Sequence, residues 1–415
     1  MRESDPASLL MSSGLSYQHS MDIQASAVRR DVEAHLVFRL ARGTMMPRPS
    51  LDFGGVTDWH RLLQLASDEN ALIALREALK VKGGNGMPAE VERRLAILSL
   101  DREFRMRRLK DRLEQAIAAL HRVGIDALLL KGAALAQTHY GSFAARPMRD
   151  IDLLVRPEQA DDARASMLRL GWEVDSELPD DRTYLNHHHL PPLRDLEGSG
   201  LRLEIHRSLL PAGHPFHFSE DEIWAAAQWV KVGGGQALVM HPSHHAVHVA
   251  IHFAWSHMLK LGAWHAFRDL ATLGTTASFD WYEFATTAAR WGASSCCYWT
   301  LRLGHAMSGL TAPRAVKQQL CPSLPELVRR PLARHFIRAL VRSEPGCPSA
   351  RLDRALWSLA MLPHQEGHGG IRPWLVSPDL LLAMNERTRL AEGETSGSPF
   401  LQVRRSGRYI TELIA

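Results

Sequence analysis

The segment from Ile125 to Val155, IDALLLKGAALAQTHYGSFAARPMRDIDLLV, constrains this chain more than any other stretch. An apolar run, Ile125 to Leu130, ends at Lys131-Gly132, and a stretch rich in small residues follows from Ala133 to Tyr140. A loop with Gly141 and Pro147 then leads into Asp150-Ile151-Asp152-Leu153-Leu154-Val155. The first run reads as a buried strand, the second piece as a short helix, and the last as a strand that opens with two alternating carboxylates. Side chains alternate across a strand, so Asp150 and Asp152 share one face with Cα atoms roughly 6.5 Å apart, while Ile151, Leu153 and Val155 point into a core. Two neighbouring acids repel unless a cation lies between them, which makes the pair a candidate divalent-metal site. An acid-x-acid pair on a solvated strand face is the plain alternative.

A third acid strengthens the metal reading. In Leu201-Arg202-Leu203-Glu204-Ile205-His206 the apolar residues share one face, and Arg202, Glu204 and His206 share the other. Three carboxylates are hard oxygen donors and favour Mg²⁺ or Mn²⁺. The Lys131-Gly132 turn suits a phosphate: glycine lets the backbone approach closely, and the amides of Ala133 and Ala134 open the next helix. Gly141-Ser142 is a rival turn, but no buried strand precedes it. Lys131 is either a phosphate contact or a lysine snorkelling at a strand end.

The residues Leu130 to Leu135, Tyr140, Arg146, Asp150 to Val155, Gly171-Trp172, His188-His189 and Glu204-Ile205-His206 together resemble the DNA polymerase β-like nucleotidyltransferase superfamily. The likeness is closer to its bacterial, largely uncharacterised nucleotidyltransferase branch, and is strongest over 125–210. It implies an α+β fold: a small mixed sheet flanked by helices and followed by an all-helical region. It also implies Mg²⁺- or Mn²⁺-dependent transfer of a nucleoside monophosphate from a triphosphate, with ATP expected, to a hydroxyl of a small molecule or protein, releasing pyrophosphate. By the same resemblance Asp150 and Asp152 would bridge two ions, Glu204 would ligate the acceptor-side ion, and Lys131, Gly132, Ala133 and Arg146 would meet the phosphates. The chain departs from the superfamily pattern at Ala133, where serine or glycine is usual; a hydroxyl donor is lost, and the Lys131 charge stands in for it. That departure sustains an alternative, a catalytically weak nucleotide-binding regulatory or partner-binding protein. A purely structural helical adaptor is a third reading.

The remaining polar features are open in the sequence. Arg146 and Arg149 either grip phosphate oxygens or neutralise the acids, with Arg149 turned away by strand alternation. His206 orients Glu204 or is a satisfied histidine. The run His187-His188-His189 resembles a zinc ligand set, but adjacent residues ligate one ion poorly and no cysteine is near, so contact with the acceptor or a strand edge is expected. His245, His248 and His252 fall on one helical face in a core-like setting, and Asp269 caps, pairs or touches substrate.

Organisation and class follow from the whole chain. The expected pieces are an arm over 1–50, partly ordered; a helical flank over 51–124, ending at Gly124; the nucleotidyltransferase core over 125–210; a helical domain over 211–376, helical from 219–231 onward; and a tail over 377–415 that docks or dangles. The long charged helix before Gly124 is expected to cross the back of the sheet, carrying Leu95, Leu98, Leu100, Phe104, Leu109, Leu113, Ile117 and Leu120. A net charge of +4 over 415 residues, without basic stripes interleaved with aromatics, disfavours a nucleic-acid acceptor. Four cysteines without C-x-x-C spacing, no signal-like N-terminus and no long apolar run are what a cytoplasmic protein without a membrane span would show.

Overall fold

A computed structural model describes residues 31–42, 51–82, 86–175, 184–185, 187–196, 200–341, 346–361 and 399–414. Its centre is a seven-stranded mixed sheet made of β1 (Leu128–Leu129), β2 (Asp150–Leu154), β3 (Trp172–Val174), β4 (Leu193–Asp195), β5 (Arg202–His206), β6 (Gln228–Val232) and β7 (Gly235–Val239). The order is β3-β4-β5-β2-β1-β7-β6. β2 runs parallel to β5 and antiparallel to β1, and β1 runs parallel to β7. With helices on both faces and a helical region beyond, the fold is α+β, as the resemblance implies.

Alternation decides what each face of the sheet meets. Ile151, Leu153, Leu203 and Ile205 enter one core with Met106, Leu109, Leu113, Ile117 and Leu120 of the Ala89–Arg122 helix and with Ala163 and Met167 of the Ala160–Arg169 helix. The long helix therefore crosses the back of the sheet, but only with its second half. At 34 residues it is about 51 Å long, more than the sheet can cover. Its first half sends Val91 and Leu95 to a second core and leaves Leu100 and Phe104, expected on the apolar stripe, 54% and 59% exposed. Gly124 ends the run with φ 72°.

Leu128, Leu130, Leu154, Leu238 and Met240 look the other way, into the second core. That core continues through the helices Pro242–Ile251, Ala263–Leu273 and Ser294–Ser308. The described part of the N-terminal arm belongs to it as well: the Val32–Arg39 helix buries Leu36, Val37 and Phe38, and Trp264 Nε1 donates to Val37 O at 3.1 Å. At the other end the Pro399–Ile414 helix docks, with Tyr409 and Leu413 buried and Arg334 Nη1 donating to Leu413 O at 2.8 Å. Residues 1–30 and 43–50 of the expected arm, 362–376 of the expected helical domain, and 377–398 and 415 of the expected tail lie outside the described residues.

Two expectations need correction. The stretch 219–231 is not one helix: Glu220–Ala225 is helical, and β6 then begins. β6 and β7 form a hairpin paired from Gln228↔Val239 to Val232↔Gly235, so the sheet continues past residue 211. The signal was there in Gly233-Gly234-Gly235 between two alternating segments. Gly233 has φ 58° and lies so close to Glu114 of the long helix that a Cβ would stand 2.9 Å from its side chain. The apolar run 125–130, read as one strand, is paired as a strand only at 128–129.

Candidate active site

The parallel register of β2 and β5 sets Asp150 beside Arg202, Asp152 beside Glu204 and Leu154 beside His206. Residues directly opposite one another point to the same face, so the acids of β2 and Glu204 share one side of the sheet. Leu154 on that side enters the second core, which places the acids between the sheet and the helical region. Asp152, Glu204 and His206 bring one potential ligand atom each within 4.8 Å of the others. His206 Nε2 lies 3.0 Å from Asp152 Oδ1 and 3.6 Å from Glu204 Oε2. Asp150, one turn of alternation away, is not in that group among the described residues.

Lys131 supplies the opposing charge. Its Nζ donates to Asp152 Oδ1 at 2.9 Å, and its side chain is 23% exposed. Lys131 carries φ 46°, in the left-handed region that non-glycine residues visit rarely and at a cost of about 1–2 kcal/mol. The strain sits where β1 gives way to the Lys131–Thr138 helix, after Leu130 N has bonded Asp152 O at 3.1 Å.

The ionisation of the cluster follows from its uneven balance. Burial raises the proton affinity of Asp152, but Lys131 and His206 more than reverse it and hold this carboxyl well below the usual range. Glu204 is likewise held low against burial, by His206, His189 and Lys131. Asp150 has no such partner: burial, Asp152 and Glu204 push it up to about 6, against partial relief from Lys131 and Arg146. Burial would discharge Lys131, yet Asp152, Glu204 and Asp150 keep it charged well above the ordinary lysine range.

Gly132 lies in tight packing. A Cβ there would stand 3.3 Å from both Arg146 Nη1 and Met148 Sδ. Arg146, expected to meet phosphate, is instead occupied: Nε and Nη2 bond the two oxygens of Asp269 at 2.7 and 2.8 Å, and Nη1 donates to Pro147 O at 3.0 Å. Tyr140 donates to Asp269 Oδ1 at 2.7 Å, and the Arg268 guanidinium covers the Tyr140 ring at 5.4 Å. This buried knot ties the loop before β2 to the Ala263–Leu273 helix and shows Asp269 paired. Its partners lie 123 residues apart, so no local pattern announces it. The rival turn at Gly141-Ser142 begins a short 3₁₀ segment, with Ser142 Oγ accepting from Ala145 N at 3.2 Å.

The histidine runs converge on the same place. His189 forms an isolated antiparallel bridge with His206, and its ring lies 5.2 Å from that of His206. His189 Nε2 stands 3.7 Å from Glu204 Oε2. Contact with the acceptor or a strand edge was expected of these loop histidines; their approach to Glu204 was not. On the opposite wall, His245 of the Pro242–Ile251 helix hydrogen-bonds the Lys131 backbone, and burial pushes its imidazole down to about 4. His248, buried on the same helix, feels the charges of Lys131, His206 and Asp152. Nε2 of His245 and Nδ1 of His248 have no hydrogen-bond partner among the described residues. The helix then widens into a π-helical turn, His252–Ser256, a distortion frequent at functional sites. The face read as core packing thus borders the acid cluster.

No described helix is long and apolar enough to cross a membrane. No curated protein and no solved structure matches the chain. A family model described as "Uncharacterised nucleotidyltransferase" matches residues 56–309, well over half of the chain and inclusive of Lys131, both aspartates, Glu204, His248 and Asp269. On that match, which spans the sheet, the acid cluster and the helices that face it, the chain belongs to the uncharacterised nucleotidyltransferase family.

Proposed function

We propose that the protein is a metal-dependent nucleotidyltransferase that moves a nucleoside monophosphate from a nucleoside triphosphate, ATP being the first candidate, to a hydroxyl of a small molecule or protein. Pyrophosphate is the second product. The observation that supports this most is the β2–β5 register, which sets Asp152 beside Glu204 next to the Lys131-Gly132 turn.

The residues fit a divalent ion by their chemistry. Asp150, Asp152 and Glu204 offer hard oxygens, and three acids against the Lys131 ammonium and the His206 imidazole, whose proton affinity Asp152 and Glu204 raise against burial, leave negative charge for Mg²⁺ or Mn²⁺ to neutralise. Bound there, such an ion would make an acceptor hydroxyl more acidic and would offset charge on the triphosphate. Lys131 would turn from Asp152 toward the phosphates, joined by the first amides of the Lys131–Thr138 helix at Gly132 and Ala133, which have no acceptor within the helix. Glu204, with a 14% exposed side chain, would take the proton of the acceptor hydroxyl. Arg146 would act at one remove, holding the floor of the Gly132 turn through Asp269. His245 and His248 would line the acceptor side, offering neutral imidazole nitrogens.

The test is pyrophosphate release from labelled triphosphate with Mg²⁺, followed by mass spectrometry of the modified acceptor. Loss of release in Asp152→Asn with an intact fold supports transfer. A second reading has one observation in its favour: Lys131 Nζ already sits on Asp152 at 2.9 Å, as a built-in counter-ion. It makes the chain a nucleotide binder without turnover. Nucleotide-induced thermal stabilisation that ignores Mg²⁺ and survives Asp152→Asn, with no pyrophosphate formed, would support it.

A further inference from the structure

We propose that the outer face of the Ala89–Arg122 helix pairs with the same face of a second copy of this chain, the two helices running antiparallel about a two-fold axis. That helix packs on the side of the sheet away from the acids, so pairing there is independent of the proposed reaction.

The carrying observation is a second apolar stripe on the wrong side of the helix. Val91, Leu95, Met106, Leu109 and Leu113 belong to its buried face. At about 100° of turn per residue, Ile97, Leu100 and Phe104 lie roughly half a turn from that face. They are 66%, 54% and 59% exposed. A helix that buries one face ordinarily carries polar residues on the other. One exposed apolar side chain needs no explanation, but three stacked in a row mark an interaction surface.

The residues along that row identify the occupant. Arg93, Ile97, Leu100, Phe104, Arg107 and Asp111 follow in steps of four and three, the seam spacing of paired helices, and all six are exposed. In a parallel pair each seam residue meets its own copy, so Arg93, Arg107 and Asp111 would each face a like charge. An antiparallel pair centred between Leu100 and Phe104 removes every one of those conflicts. Leu100 then meets the partner's Phe104, and Arg93 meets the partner's Asp111. Arg107 lays its methylene stem over the partner's Ile97 and keeps its guanidinium in water. The two-fold axis repeats each contact, as an isologous interface requires. Sliding the pair by one seam step would set Phe104 against Arg93 and shorten the overlap to the run 89–108. The paired stretch from Arg93 to Asp111 is about 27 Å long. A contact of that extent lies at the low end of specific interfaces, below about 1,200 Å², so a dissociation constant on the order of 10 μM is expected.

The experiment is sedimentation equilibrium of the full-length protein, without metal or nucleotide, from about 1 to 100 μM. The parent should pass from monomer to dimer across that range. Phe104→Glu should stay monomeric throughout, while its melting and circular dichroism match those of the parent because the side chain is exposed. Asp111→Arg should weaken the dimer at least about tenfold by setting a like charge against Arg93. Adding Arg93→Asp to that variant should restore the parent's dissociation constant to within about threefold. A parent that is monomeric at the highest concentration overturns the proposal, and so does a dimer indifferent to Phe104→Glu. A folded double variant that fails to regain association overturns it as well. So does a monomeric parent whose Leu100 and Phe104 resist hydroxyl-radical labelling, since its own chain would then cover the stripe.

Discussion

Two buried charge clusters lie on either side of Gly132, and they are balanced differently. In one, Asp269 accepts both arms of the Arg146 fork and the Tyr140 hydroxyl, and every polar group of Arg146 has a partner. In the other, Asp150, Asp152 and Glu204 share one lysine and one histidine. The first cluster is closed and holds two parts of the fold together. The second is short of positive charge, and that deficit is paired with strained backbone at Lys131. Similar ingredients thus make a closed fastening in one place and a cluster with excess negative charge in the other, and the charge balance distinguishes them.

The comparison breaks most sharply under substitution of one acid in each cluster. Asp152→Asn should lower nucleotidyl transfer on the order of 10⁴-fold, far more than the modest drop in melting that follows from losing a carboxylate held low by Lys131 and His206. Asp269→Ala should do the opposite. It strands the buried Arg146 guanidinium, which costs about 3–5 kcal/mol in folding free energy by denaturant titration, and any loss of activity should track the unfolded fraction.

A smaller effect comes from pH. Asp150 is raised to about 6 in the folded protein from its ordinary value of 3.8, so between those values the folded state binds more protons than the unfolded one. Stability of the metal-free protein should therefore fall by about 1–2 kcal/mol as pH rises from 4 to 6 on account of Asp150. Asp152 and Glu204, held low, contribute with the opposite sign, and their share is lost only as pH drops through their folded values. Comparing denaturation of the parent and Asp150→Asn across this window isolates the first slope. The smallest effect links the clusters. Gly132→Ala should cost about 1 kcal/mol, because Arg146, gripped by Asp269, cannot yield to the new Cβ. In the Asp269→Ala background that cost should shrink, which a double-mutant cycle reads directly.

What the sequence exposed and what it concealed divide along physical lines. Period-2 alternation in 150–155 and 201–206 was enough to put three acids on one face, and the β2–β5 register bears that geometry out. The glycine that stops the long helix and the short strand at Trp172 were legible for the same local reason. The β6–β7 hairpin carried a Gly-rich turn that the helical character of its neighbours obscured. The Arg146–Asp269 pair and the approach of His189 to Glu204 had no local signature, since they depend on how loop, sheet and helix meet. His248 looked like core because it is core; only the packing shows that this core borders the acids.

On the proposed function, the charge deficit around Asp150, Asp152 and Glu204 recruits a divalent ion together with a triphosphate. Calorimetric titration with an ATP analogue blocked between its α and β phosphorus atoms tests it most directly, with Mn²⁺ present and absent. Binding should be at least about tenfold tighter with Mn²⁺, and that gain should be lost in Asp152→Asn. Equal affinity with and without the ion, in the parent and the variant alike, would contradict it.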